Sequence, residues 1–330
     1  MRDKWSVLAA VAVIGLPLAA GLTADLASAQ TYPSRPIRML VGFAPGGPAD
    51  VMARLIGQRM YASLGQPIVV ENRPGAGGTI AARAVADSEP DGYTLLLGNT
   101  STLVISPLMY RNVGYDALKA FAPIARLGTT SDILVTNPNF SARSLGELIA
   151  YAKANPGKLN YSTPGLGTPP HLIAEMLKLR AGVEIVHVPY KSGGQSIQAV
   201  VAGEVQLTFE NPAVALPLVQ AGVVRALAVT SEARHPQAPD VPTLIEGGLP
   251  DFVSVSFIGV VGRAGIPAAV VGKLNAVINE SLKSPEVAAT LAKLAVDVKT
   301  ETPGAFAAFL TEEMTTMAPV IKAAGLQGVQ

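Results

Sequence analysis

The chain has 330 residues, 49% hydrophobic and only 15% charged, with 25 Lys and Arg against 24 Asp and Glu for a formal net charge of +1. That balance argues against a nucleic-acid groove, which needs clustered cations to displace counterions, and the apolar share excludes a disordered chain. The absence of cysteine excludes disulfide frameworks, thiolate metal sites and a cysteine nucleophile together.

The first thirty residues read as a leader. Arg2 and Lys4 precede an apolar run over residues 7–22 that is broken only by Pro17, and Ala27-Ser28-Ala29 follows before Gln30. A basic start, a short apolar run and small residues at the cleavage positions make a secretory signal. Removal of residues 1–29 is expected, with cleavage after Ala29. The run is short for a membrane span, and no later stretch approaches one, so the exported chain is expected to be soluble.

Apolar runs then alternate with helical patterns. Residues 37–43 read as a buried strand, followed by a helix over 50–64 with Val51, Leu55, Ile56 and Met60 on one face and Gly65 at its end. Further strands are expected at 68–70, 94–97, 133–136, 159–162, 183–188, 205–209 and 224–230. Helices are expected up to Ser88, towards Tyr110, after Ser144 and Glu147 (spaced as a capping box), and at 168–180, 193–202 and 212–221. This spacing predicts parallel sheets with helices on both faces. The last part departs from it, with a Pro-rich loop at 236–250, a long apolar strand at 252–261, and helices at 267–282, after Ser284-Pro285-Glu286, and from 303 to about 324.

Enzyme signatures are absent: the sequence holds no phosphate-loop, zinc-protease, nucleophile-elbow or calcium-loop motif. Gly75-Ala76-Gly77-Gly78 sits between a strand and a helix, but the third small position of a dinucleotide fingerprint falls on Ile80. His171 and Glu175 are spaced i,i+4 and lack a third metal ligand. His171 is read instead as a first-turn residue that bonds a neighbouring loop or contacts a ligand. His187 reads as a core residue and His235, beside Pro236, as exposed.

Small-residue loops between strand and helix are abundant. Four stand out: residues 43–50, with Phe43, Ala44, Gly46, Gly47, Pro48 and Asp50; 98–102, with Asn99, Thr100 and Ser101; 162–168, with Thr163, Gly165, Gly167 and Thr168; and 190–194, with Lys191, Ser192 and Gly193. In a parallel sheet all such loops leave the carboxyl ends of the strands, where open α/β folds bind ligands. Free N–H groups at helix starts favour an anion there. A carboxylate held mainly by backbone and hydroxyl donors is therefore expected, with no catalytic residue, metal or cofactor. A hydrolase or lyase using Ser162 or Thr168 with His171 is the alternative from the enzyme class.

The chain resembles the substrate-binding proteins of tripartite tricarboxylate transporters, the Bug or TctC-type receptors. The resemblance is carried by Tyr32-Pro33-Ser34-Arg35-Pro36-Ile37, the 43–50 loop, Glu71-Asn72-Arg73-Pro74-Gly75-Ala76-Gly77-Gly78 and Asp91-Gly92-Tyr93-Thr94-Leu95. Val188-Pro189-Tyr190-Lys191, Leu227-Ala228-Val229-Thr230 and Pro239-Asp240-Val241-Pro242-Thr243 extend it. It implies an α/β, two-lobed periplasmic-binding-protein fold (type II-like), each lobe a mainly parallel sheet flanked by helices, with a hinge between. Residues 30–130 and 253–330 would form one lobe and 131–252 the other. Capture of a small carboxylate, partly through ordered water, between residues 43–50 and 163–171 is implied. So is delivery to the membrane permease of a tripartite transporter by a soluble, monomeric periplasmic protein that binds no nucleic acid. A sensor presenting the same ligand to a signalling partner is the other reading. Where such receptors commonly carry Phe-Asp, this chain has Phe209-Glu210, followed by Asn211. The longer carboxylate would accept either from a ligand amine or hydroxyl or from a backbone amide at the next helix start.

Overall fold

The computed structural model describes residues 32–328, so the leader expected over residues 1–29 lies outside the described residues. The first apolar runs become β1 (Ile37–Val41), β2 (Ile68–Asn72) and β3 (Thr94–Asn99), with β1 parallel to both of the others. The intervening helices are α1 (Pro48–Leu64), stopped by Gly65 in a left-handed conformation, and α2 (Thr79–Ala86). After β3 a π-helical turn over Ser101–Ile105 runs directly into α3 (Ser106–Met109).

The second group alternates as the pattern predicts. Its elements are β5 (Ile133–Thr136), α4 (Leu145–Ala154), β6 (Leu159–Thr163), α5 (Pro169–Ala181), β7 (Ile185–Pro189), α6 (Gly193–Ala202), β8 (Leu207–Glu210), α7 (Pro212–Gln220) and β9 (Arg225–Val229). Ser144 caps α4 by accepting from Glu147 N at 3.2 Å. The Glu147 carboxylate reaches back to Arg143 N at 2.7 Å, one residue beyond the reciprocal bond of a capping box.

Both sheets are mixed, which corrects the expectation of mainly parallel ones. The first has the order β11-β4-β10-β3-β1-β2 and the second β7-β6-β8-β5-β9, where β4 is Phe121–Ser131, β10 is Val255–Arg263 and β11 is Asp297–Val298. The βα units keep their strands parallel, but β10 is antiparallel to β3 and β4, and β5 is antiparallel to β8 and β9. The reason is how the chain changes sheets. It leaves the first at the carboxyl end of β4 and enters the second one residue later as β5, then leaves at the carboxyl end of β9 and returns as β10. A strand that enters a sheet from its carboxyl edge must run against the others. The carboxyl edges of the two sheets are thereby turned towards each other.

The eleven-residue β4 is the element that the sequence hides. Pro123, Arg126 and Gly128 interrupt its alternation, and its register against β10 shifts twice. Gly128 is needed there, since a Cβ would lie 2.5 Å from the Asp297 carbonyl oxygen of β11. The two crossings are stitched side by side. Thr230 N donates to Asp132 O and Ser254 N to Thr230 O, each at 2.9 Å, while Asp132 N donates to Thr230 Oγ1 at 2.8 Å. His235, expected exposed, is buried and accepts from Gln237 N at 3.2 Å. The loop after β9 folds back, bridging Thr243 to Val229, and covers it.

The chain closes with α8 (Ala268–Leu282), α9 (Pro285–Lys293) and α10 (Pro303–Ala323). α10 packs on both β4 and α5. Its Leu310, Met317 and Ile321 belong to one buried cluster with Leu172, Ile173 and Met176 of α5 and Leu103, Val104 and Ile105 of the π-helical turn. The approach to α10 is fixed by a buried ion pair: Arg126 donates to Glu301 from Nε at 3.0 Å and from its terminal nitrogen at 2.7 Å, and its guanidinium lies 3.8 Å over the Phe309 ring. Among the described residues no helix is long and apolar enough to cross a membrane.

Removing one partner of a buried pair strands the other charge, at a cost of about 3–5 kcal/mol, whereas replacing both with apolar groups is often neutral. Glu301→Ala should therefore lower unfolding free energy by about that amount in urea titration, and the double change Arg126→Met with Glu301→Leu should recover most of it. A loss below about 1 kcal/mol for the single change, the range of exposed pairs, would remove the pair from its anchoring role.

Candidate binding cleft

Facing carboxyl edges bring helix starts together. α1, α5 and α7 each carry proline at the first helical position, Pro48, Pro169 and Pro212, after Gly47, Thr168 and Asn211. Proline suits that place because its ring presets the helical φ and its missing N–H would have no partner within the helix. Between these starts lies a cleft of about 460 Å³. Pro48, Asn99, Thr100 and Ser101 line it from the first lobe, and Pro169, Asn211, Ala213 and Val214 from the second.

Its first-lobe wall is braced from behind. Asp50 is buried, and its Oδ2 accepts from Gly46 N at 2.9 Å and Arg54 Nε at 3.0 Å. Its Oδ1 accepts from Asn72 Nδ2 at 2.9 Å, and that same nitrogen reaches Phe43 O at 3.1 Å. The Arg54 hydrogen bond, then the Gly46 amide, holds the Asp50 carboxyl down at about 2. The loop carrying Phe43, Ala44, Gly46 and Gly47 is thus held by Asp50. Asn99 turns its Oδ1 inward to Thr102 N at 3.0 Å and Thr102 Oγ1 at 3.1 Å. Thr100 Oγ1 accepts from Phe257 N at 2.7 Å, tying the loop to β10.

The second-lobe loop stands on stacked rings. Thr168 Oγ1 donates to Gly165 O at 2.8 Å, Gly165 N donates to Thr163 Oγ1 at 3.1 Å, and Gly167 N donates to His171 Nδ1 at 3.1 Å. His171 is buried and stacks on His187 with ring centroids 4.1 Å apart, and His187 Nε2 is 2.6 Å from Thr163 Oγ1. Below them Tyr161 OH donates to Glu175 Oε1 at 2.7 Å, and Lys178 Nζ reaches both oxygens of Glu175 at 2.8 Å. Burial, reinforced by His187, pushes His171 down to about 4. It is therefore neutral at pH 7, as an Nδ1 acceptor must be.

Lys191, Ser192 and Gly193 lie at a junction outside the cleft lining. Ser192 Oγ caps α6 by accepting from Gln195 N at 3.3 Å, Lys191 N donates to Gln195 Oε1 at 3.2 Å, and Gly193 packs against Glu210. Glu210 is buried, which raises its carboxyl, and its Oε1 accepts from Asn211 N at 3.0 Å, the backbone alternative considered above. Asn211 caps α7, its Oδ1 accepting from Ala213 N at 2.9 Å. Sequence reasoning did not place the floor and far end of the cleft: Met52 of α1, Thr130 of β4, Ser256, Phe257 and Ile258 of β10, and Leu294 and Val296. The apolar run at 252–261 was the one available signal for β10. It also left out Asp132 at the first crossing, whose carboxyl burial and the neighbouring Glu210 push up to about 7. Among the described residues no group of three or more acidic or histidine side chains is placed to hold a metal.

Residues 52–326 match the family model described as the tripartite tricarboxylate transporter family receptor. The chain belongs to that family. It is 38% identical over 316 residues to protein BugT of Bordetella pertussis, covering 96% of this chain and 97% of that one. Among solved structures it is similar to R. palustris Rpa4515 with adipate, at 32% identity and a TM-score of 0.74, covering 90% of this chain and 100% of that chain. MatC from Rhodopseudomonas palustris with bound malate matches at 33% identity and a TM-score of 0.71, over 88% of this chain and 100% of that one. The family is one of receptors, and this member is a solute-binding receptor rather than an enzyme. That sets aside the hydrolase or lyase reading. Ser162 is in any case fully buried and donates to Ser196 O at 2.9 Å.

The two braces give separate acid transitions. An unfolded His171 binds a proton near 6.5 but the folded one only near 4, so its own contribution to stability should fall as pH drops from about 6.5 to 4, while Asp132, raised to about 7, works in the opposite direction. Asp50 acts lower: its folded carboxyl near 2 against 3.8 unfolded gives stability that is lost as pH falls from about 4 to 2. Thermal midpoints against pH should show His171→Asn flattening the upper segment and leaving the lower. An unchanged upper slope in that variant would refute the buried neutral imidazole.

Proposed function

We propose that the protein is a periplasmic receptor that captures a small organic acid between its lobes and delivers it to the membrane permease of a tripartite transporter. The carrying observation is the convergence of helix starts on one cleft. α1 and α5 have no side-chain cap at their starts, so first-turn N–H groups remain for a ligand. Each helix start favours an anion by roughly 0.3–1 kcal/mol when exposed, and up to about 2 when partly buried. The bound acids in the related structures, adipate and malate, support a carboxylate.

In this reading residues 30–130 with 253–330 and residues 131–252 are the two moving bodies, and the stitched segments around Asp132, Thr230 and Ser254 are the hinge. Loops 43–50 and 163–168 close over the ligand with Asn99, Thr100, Ser101 and Asn211. Asp50 and His171 hold those loops in shape, and ordered water fills the remaining bonds. Residues 1–29 direct export and are cleaved after Ala29.

Among the described residues no Lys, Arg or His lines the cleft, so affinity should depend only weakly on ionic strength. A saturating acid at a hundred times its dissociation constant should stabilise the purified receptor by about 2.7 kcal/mol, a thermal shift of several degrees. Ser101→Ala and Asn99→Ala should each weaken binding and leave the protein folded. An empty result across mono-, di- and tricarboxylates, or full affinity in both variants, refutes the proposal.

A further inference from the structure

The second-lobe loop is anchored at two places, and one side chain outside the cleft lining reaches both. β6 ends at Thr163, whose hydroxyl oxygen accepts from Gly165 N at 3.1 Å and lies 2.6 Å from His187 Nε2 of β7. Further along, Gly167 N donates to His171 Nδ1 at 3.1 Å. The His171 ring in turn stacks on His187, with centroids 4.1 Å apart and 25° between the planes. Strand register places His187 there. β6 and β7 are parallel with Tyr161 opposite His187, and Thr163, two residues on from Tyr161, shares its face of the strand. From these anchors the loop runs to the wall of the cleft: Thr168 Oγ1 donates to Gly165 O at 2.8 Å, and the next residue, Pro169, lines the cleft. His187, which the sequence offers only as a core residue, does not line it.

We infer that His187 is a positioning residue for capture: it holds the 163–168 loop directly through Thr163 and by stacking through His171, and the loop keeps its binding shape only while both rings are uncharged. The inference rests on the carboxylate-receptor reading and names the side chain on which the second wall of that site depends. A proton added to His171 goes to Nδ1, where the Gly167 N–H already points, so two donors would face each other. A charge on either ring would also lie against the face of the other. The ionisable groups facing the pair are Tyr161 of β6 and Glu175 and Lys178 of α5. Glu175 Oε1 is 4.0 Å from His171 Nε2, but that carboxylate already accepts from Tyr161 OH and from Lys178 Nζ. Its charge is largely answered by the lysine, which leaves little to balance an imidazolium.

Calorimetry on the purified receptor with malate and with adipate tests this, with thermal unfolding run beside it so that each variant is measured while folded. At pH 7 His187→Ala should weaken binding by about tenfold. His187→Gln, whose amide still reaches the Thr163 hydroxyl, should recover most of that loss. For the acid arm, the affinity of the unaltered receptor is divided by that of His171→Asn/His187→Gln at each pH, so that protonation of the acid itself cancels. That ratio should hold down to about pH 6 and drop to about half or less by pH 4. Full affinity in folded His187→Ala overturns the positioning role, and a ratio that does not change with pH overturns the need for uncharged rings. Both results leave the carboxylate reading standing. Binding of neither acid at any pH, by unaltered protein that still unfolds cooperatively, overturns that reading and this inference with it.

Discussion

The passage of the chain between two facing carboxyl edges is the constraint from which the rest follows. Because β4 runs on as β5 through the single residue Asp132, the second sheet is entered against its own strands, and the return through β10 does the same to the first. Each sheet therefore keeps parallel βα units and a reversed strand at the crossing, β10 in the first and β5 in the second, and β11 adds another reversed strand at the edge of the first. The helices that follow parallel strands start at the carboxyl edge by geometry, so edge-to-edge placement sets the start of α1 opposite those of α5 and α7. The cleft needs no element of its own. It is the gap left between two edges whose distance is set by a one-residue and a longer crossing.

That gap is not symmetric in its walls. On one side α10 runs from the first lobe across to α5, and Leu310, Met317 and Ile321 join a core that both lobes share. Apolar burial of this extent stabilises the contact between α10 and α5. The Arg126–Glu301 pair beneath Phe309 fixes where α10 begins. The hydrogen-bonded strips through Thr230 keep both crossings in register. Packing and polar satisfaction thus place the lobes, while Asn99, Thr100 and Asn211 at the cleft also hold their own loops in shape.

Where local periodicity governed, the sequence was informative. β5 and α6 fall at the residues expected, and α1, α5, α7 and α10 differ at their ends by a residue or two. Where long-range pairing governed, it was not. β4 carries a proline, a buried arginine and a glycine because its partners, β10, β11 and Glu301, require them, and no pattern within the strand reports that. The sheets' reversed strands were invisible for the same reason: direction depends on which edge the chain enters. Part of the cleft was legible, since Pro48, Asn99, Thr100, Ser101 and Asn211 stand at strand-to-helix junctions. The rest of the lining was not, because Met52, Thr130, Ser256, Ile258, Leu294 and Val296 come from distant stretches that only the sheet order brings together. Asp50 and His171 carry polar groups that read like ligand contacts, yet both face inward and shape the loops.

The three prolines at the starts of α1, α5 and α7 bear on the entropy of capture. Each fixes one backbone torsion in the unbound protein, at the point where a loop turns into the cleft wall. A glycine or alanine there would leave the loop to be ordered by its guest, and part of the binding energy would be consumed in doing so. With the rings in place that ordering has already been done during folding. On the proposed reading, a small acid offering few contacts would then be held by what little it brings, and released when the walls part without the walls themselves dissolving.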